Sequence, residues 1–136
     1  LERTLVLIKP DGVERKLIGE IISFYERRGL NIEALSLIKP TKSLAEAHYE
    51  EHRDKLFYTK LIDYLTEGLV CAMVLSGENA VELVRKINGD KDPLIAENGS
   101  IRGTYGCDKT RNLVHASDST LSANREIKLW FPQNNN

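Results

Sequence analysis

Cysteine is scarce in this chain: Cys71 and Cys107 stand far apart, one in an apolar run and one in a loop, without C-x-x-C spacing. That argues against a disulfide framework or a zinc site as the organising feature. Long apolar runs are also missing, and none approaches the roughly 18 residues that span a bilayer. The opening Leu1-Glu2-Arg3-Thr4 enters an apolar stretch without the basic and hydrophobic regions of a signal peptide, so a cytoplasmic protein with no membrane partner is expected. Nor is there an excess of charge: 19 Lys and Arg against 20 Asp and Glu leave a net −1. No general basic field exists to attract polyanions, and nucleic acid is not the expected partner. The phosphate loops G-x-x-x-x-G-K-[ST] and G-x-G-x-x-G are both absent, which disfavours P-loop and Rossmann mechanisms.

What is present suits one domain over residues 1–136, with 41% hydrophobic and 29% charged residues. Thr4 to Ile8 reads as a buried strand stopped by the polar loop Lys9-Pro10-Asp11-Gly12. Leu17, Ile18, Ile21, Ile22 and Tyr25 recur at helical spacing before Gly29. A second strand over Asn31–Ile38 follows, then a helix opened by the capping box Ser43-Leu44-Ala45-Glu46. Phe57 to Thr66 is helical, Leu69 to Leu75 is a strand buried on both faces, and Asn79 to Ile87 is helical again. Gly89 to about Thr110 lacks periodicity and predicts a long functional loop. Leu113 to Ala116 predicts a short strand, Ser117-Asp118-Ser119 a helix cap, and Gln133 to Asn136 a polar tail. The order implies an α+β, ferredoxin-like fold: a four-stranded antiparallel sheet on the βαββαβ plan, helices covering one face.

His115 falls between the short strand and the cap cluster, where a side chain emerges at the mouth of a sheet. Neutral imidazole is a nucleophile near neutral pH, although a lone histidine is by default structural. Glu126, about two turns into the next helix, is spaced to orient it, against the default of a solvated helix charge. Lys9, Arg85, Lys91 and Arg102 lie in or beside loops, where cations can surround an oxyanion; singly, each is a surface charge.

Three stretches together carry a recognisable pattern: Ile8-Lys9-Pro10-Asp11-Gly12-Val13, Ser100-Ile101-Arg102-Gly103 and Arg111-Asn112-Leu113-Val114-His115-Ala116-Ser117-Asp118-Ser119. They resemble the nucleoside diphosphate kinase family, over essentially the whole chain. The resemblance implies a phosphorylated His115 supported by Glu126 and Ser117, with Lys9, Tyr49 and Asn112 around the sugar, the histidine and the transferred phosphate. It implies phosphate contacts from Arg85, Arg102 and the position of His52, and a base stacked on Phe57. Mg²⁺ carried mainly by the nucleotide phosphates is implied, with no metal site on the protein, as are nucleoside di- and triphosphate substrates and a homo-oligomer, a hexamer before a tetramer. The pattern departs at Lys91, where the family usually has a phosphate-binding Thr, and at Lys109, a position often apolar and close to the base. Ala116 replaces a common Gly, Asn98 a loop Pro, and the segment after Phe131 is shorter than in many members. These departures keep open the alternative of a catalytically weak nucleotide-binding or regulatory relative. A nucleic-acid module would need exposed aromatics on its central strands, and the strand candidates are aliphatic.

Overall fold

The computed structural model describes residues 1–134, so the last two residues of the polar tail lie outside the described residues. Strand β1 (Glu2–Ile8) leads into a short helix α1 (Pro10–Glu14) and then α2 (Ile18–Glu26). Strand β2 (Asn31–Ile38) precedes α3 (Lys42–His48), a 3-10 turn (Glu50–His52) and α4 (Tyr58–Thr66). Then come β3 (Val70–Gly77), α5 (Ala80–Asn88), α6 (Ile101–Tyr105), β4 (Val114–Ala116) and α7 (Thr120–Trp130), before a last 3-10 turn (Pro132–Asn134). The sheet order is β2-β3-β1-β4 and every pairing is antiparallel, as the ferredoxin-like plan requires. Among the described residues no helix is long and apolar enough to cross a membrane.

Helices lie on both faces of the sheet, not on the one expected. Side chains alternate along a strand, so β1 divides its residues between two cores. Val6 and Ile8 join Ile21 and Tyr25 of α2 and Val84 and Ile87 of α5. Leu5 and Leu7 join Ala45 of α3, Ile62 and Leu65 of α4 and Ile127 and Trp130 of α7. The two crossover helices cover the first face as the βαββαβ plan demands. The pair inserted between β2 and β3, with the helix after β4, covers the second. All of β3 is buried, as its unbroken apolar run requires. Each such Leu or Ile contributes about 1.5–3 kcal/mol by leaving water.

Three local expectations are corrected. Lys9-Pro10-Asp11-Gly12 is not a loop: Pro10 opens α1, where its missing N–H costs nothing. A Cβ on Gly12 would come within 2.7 Å of the Ile8 side chain, so the glycine serves close packing. The cap of α3 is Thr41, whose hydroxyl accepts the Leu44 N–H at 3.1 Å, so Ser43 lies inside the helix. The long loop contains α6, capped by the Ser100 hydroxyl on the Gly103 N–H. Gly103 is needed because its backbone lies against the Glu97 carbonyl.

Candidate active site

His115 is the middle residue of β4, opposite Leu7 of β1. Ser117 continues this pairing beyond the strand: its N–H bonds the Leu5 carbonyl and its hydroxyl accepts the Leu5 N–H at 3.2 Å. The same hydroxyl donates to Glu126 Oε1 at 2.8 Å, and His115 Nε2 lies 3.0 Å from that oxygen. An ionised carboxylate only accepts, so the imidazole proton belongs on Nε2 and Nδ1 keeps its lone pair. Glu126 is buried, while His115 is one-fifth exposed.

The face of α7 explains this placement. Ala123, Glu126, Ile127 and Trp130 are its buried residues, at helical i, i+3, i+4, i+7 spacing. Glu126 therefore reaches His115 while Trp130, one turn on, donates to His48 Nδ1 at 3.1 Å. Arg125 donates to the carbonyls of Ala47 and His48, tying the end of α3 to α7. Burial first, then the neighbouring His115, hold the His48 imidazole well below its usual range, so it stays neutral.

From His115 a row of rings leads outward. Centroid separations are 4.5 Å for His115–His48, 4.7 Å for His48–Tyr49, 6.1 Å for Tyr49–His52 and 5.7 Å for His52–Phe57. Phe57 ends the row half-exposed at the start of α4, an aromatic face open to solvent. His52 thus sits in the aromatic row, between Tyr49 and Phe57.

On the other side, Lys9 at the end of β1 is buried, with Nζ 3.0 Å from Asn112 Oδ1. Burial, then the charge of Arg102, lower its pKa to about 8. Asn112 also donates to the Lys109 carbonyl. Arg102 sends Nε to the carbonyl of Asn112 at 3.1 Å, Nη1 to Gly89 at 2.8 Å and Nη2 to Val114 at 2.6 Å. It clamps α5, the long loop and β4 together, retaining one N–H on each terminal nitrogen. Arg85 is exposed on α5, and its charge acts on both Arg102 and Asp118. The side chains of Lys91 and Lys109 are exposed, and neither is drawn into the bonded group.

His48, His115 and Glu126 form the one His, Cys, Asp or Glu cluster among the described residues whose ligand atoms fall within 4.8 Å of one another. It does not fit Mg²⁺. That ion prefers oxygen, and here His48 Nδ1 is committed to Trp130 and His115 Nε2 to Glu126. A cleft of about 290 Å³ is lined by Phe24, Arg27, Arg28, Lys86 and the 97–100 segment, and His115 is not among its walls.

Sequence reasoning missed two members of this neighbourhood as site residues. Asp11 was read as a turn former, and its isolation in K-P-D-G gave no sign of burial. Tyr64 falls within the helical stretch Phe57 to Thr66, and no periodicity marks its hydroxyl, which donates to Asp11 Oδ1.

Comparison with known proteins agrees with this geometry. The family model described as nucleoside diphosphate kinase matches residues 2–136. A nucleoside diphosphate kinase of Thermobifida fusca is 54% identical over 132 residues, 97% of this chain and 98% of the relative. One from Archaeoglobus fulgidus is 51% identical over 131 residues, 96% and 87% of the two chains. The crystal structure of nucleoside diphosphate kinase from Encephalitozoon cuniculi, in apo form, superposes with a TM-score of 0.94 at 38% identity, covering 96% of this chain and 89% of that one. A Babesia bovis family protein gives 0.94 at 42%, covering 98% and 90%. A matched chain, a matched sheet order and a histidine set against a buried glutamate agree: this chain belongs to the nucleoside diphosphate kinase family.

Proposed function

We propose that in this nucleoside diphosphate kinase His115 Nδ1 carries the phosphoryl group between nucleotides. The observation that supports the reading is the engagement of Nε2 by Glu126, itself held by Ser117, which leaves Nδ1 as the free lone pair. Nδ1 attacks the γ-phosphorus of a nucleoside triphosphate, mainly ATP. The bond to the bridging oxygen breaks, and the diphosphate leaves with its electron pair. A terminal oxygen of a second diphosphate then attacks the phosphohistidine, the P–N bond breaks, and the lone pair returns to Nδ1. Glu126 stabilises the positive charge that develops on the ring during each transfer.

Such a transfer has a loose transition state whose charge lies on the phosphoryl oxygens, so positioned cations do most of the work. Lys9, Arg85 and Arg102 supply them, Asn112 orients Lys9, and Tyr49 walls the histidine. Lys91 takes the place of a hydroxyl contact as a point charge, and the Lys109 stem lies beside the base. Phe57 stacks on any base, since every base has a π-face, which suits a broad nucleotide range. Mg²⁺ arrives with the nucleotide as part of the substrate. Leu35 and Leu37, 55% and 53% exposed on an edge strand, favour a homo-oligomer, read here as a hexamer. The nucleotide substrates and two free cysteines suit the cytoplasm.

Intact mass after incubation with Mg-ATP tests the reading. A gain of one phosphate, about 80 Da, absent in His115→Ala and discharged by GDP as GTP forms, is expected. Wild-type protein that binds nucleotide without this gain points to the regulatory relative instead.

A further inference from the structure

The segment after β1 carries a buried acid to which the phosphotransfer chemistry assigns no role. Asp11 lies in the first turn of α1 and is 7% exposed. A buried carboxylate persists where donors or cations satisfy it. Oδ2 accepts the N–H of Leu113 at 3.1 Å, and Oδ1 accepts the Tyr64 hydroxyl. Leu113 has φ +78°, a left-handed conformation that a bulky side chain holds only under constraint. Its carbonyl accepts the Lys9 N–H at 2.8 Å. Residues 9 and 11 therefore hold both backbone groups of the residue joining Asn112 to β4.

Lys9 is the group this arrangement serves. Its Nζ is 3.0 Å from Asn112 Oδ1 and 5.3 Å from the Tyr64 ring centroid. Around it stand Asp11 on α1 and Tyr64 on α4, the Tyr64 ring also carrying the Arg111 guanidinium at 4.8 Å, paired to Glu67. Arg102 on α6 faces it, as does neutral His48 on α3, with His115 across the His48 ring. Burial and Arg102 both disfavour the ammonium, and the Asp11 charge opposes them.

We propose that Asp11 is a positioning residue for phosphotransfer: its carboxylate is the opposite charge facing Lys9, and its hydrogen bonds set the Leu113 turn that delivers Asn112 to Lys9. The proposal rests on the reading of Lys9 as a cation of the phosphate site.

The test is the pH dependence of kcat/KM for phosphoenzyme formation from Mg-ATP. In the wild type the rate falls on an alkaline limb as Lys9 loses its proton. Lys9→Arg, charged throughout, loses that limb. Asp11→Asn keeps the size and an acceptor for the Leu113 N–H but removes the charge, so the limb moves to lower pH by about one unit. Tyr64→Phe retains the carboxylate and leaves the limb where it was. An Asp11→Asn enzyme slower by the same factor at every pH, its limb unmoved, overturns the proposal. Should that variant not fold, Asp11→Glu carries the test: a retained charge keeps the limb in place, and a displaced limb overturns the idea. Failure of the underlying reading looks different, namely wild-type protein that forms no phosphoenzyme at any pH.

Discussion

Lys9 illustrates what a site asks of single residues. Its ammonium is withdrawn from water beside a second cation, a cost to the free protein that the proposed binding of an anionic phosphate offsets. The pKa falls from 10.5 to about 8, so the fold penalises the charged form relative to the unfolded chain. The penalty is complete below the folded value, where both states carry the proton. It is relieved as pH rises between the two values, because only the unfolded chain then stays charged. Lys9→Met is accordingly expected to raise Tm near neutral pH, with an advantage that shrinks as pH rises from about 8 towards 10.5, while phosphotransfer falls by roughly 10²-fold or more. Calorimetry at the two ends of that window checks it; a lower Tm in the neutral sample contradicts the account. Glu126 differs, since its buried oxygen is matched by Ser117 and His115 and loses little by leaving water.

At the scale of elements, two helices divide the work. One stripe of α7 delivers Glu126 to His115 and Trp130 to His48, so the spacing of one helix sets the positions of two imidazoles on different elements. The end of α3, the 3-10 turn and the start of α4 carry the aromatic row out to Phe57. Phe57 is half-exposed and belongs to neither core, which agrees with its proposed place against the base. Phe57→Ala is expected to raise KM for several nucleotides alike, by about tenfold or more, as loss of 1–3 kcal/mol of stacking implies, with little change in Tm. Steady-state kinetics with ATP and CTP decide the matter; a KM change for one base only would point to hydrogen-bonded recognition instead.

Across the whole molecule, covering both faces of the sheet leaves its edges as the unfinished surface. Strand β2 is an edge, and its register slips between Ile32 and Ala34, so the side chains beyond the bulge exchange faces. Ile32 packs with the α2 and α5 core, whereas Ala34 and Ile38 pack with the other. Leu35 and Leu37 are left more than half exposed along an edge strand, a surface that favours self-association. Replacing both with Lys is expected to yield a smaller species in sedimentation velocity while the circular dichroism spectrum is kept. An unchanged sedimentation coefficient removes this edge as an assembly surface.

Sequence by itself determined the elements whose patterns are local. The apolar run of β3, the helical stripes of α2 and α5, the N-x-x-H-x-S-D-S stretch and the order of strands were all legible, because periodicity and short motifs depend on near neighbours. The family resemblance singled out His115, Glu126, Ser117 and Asn112 as expected site residues, and the fold brings them into one neighbourhood. What tertiary structure alone decided lies between residues distant in the chain. Ser117 meets Leu5, Asp11 meets Tyr64 and Leu113, Arg102 spans three segments, and His48 receives its bond from Trp130. The second layer of helices belongs to the same class. Whether an amphipathic helix covers one face of a sheet or the other depends on which side its connection leads it to, and no periodicity within the helix records that choice.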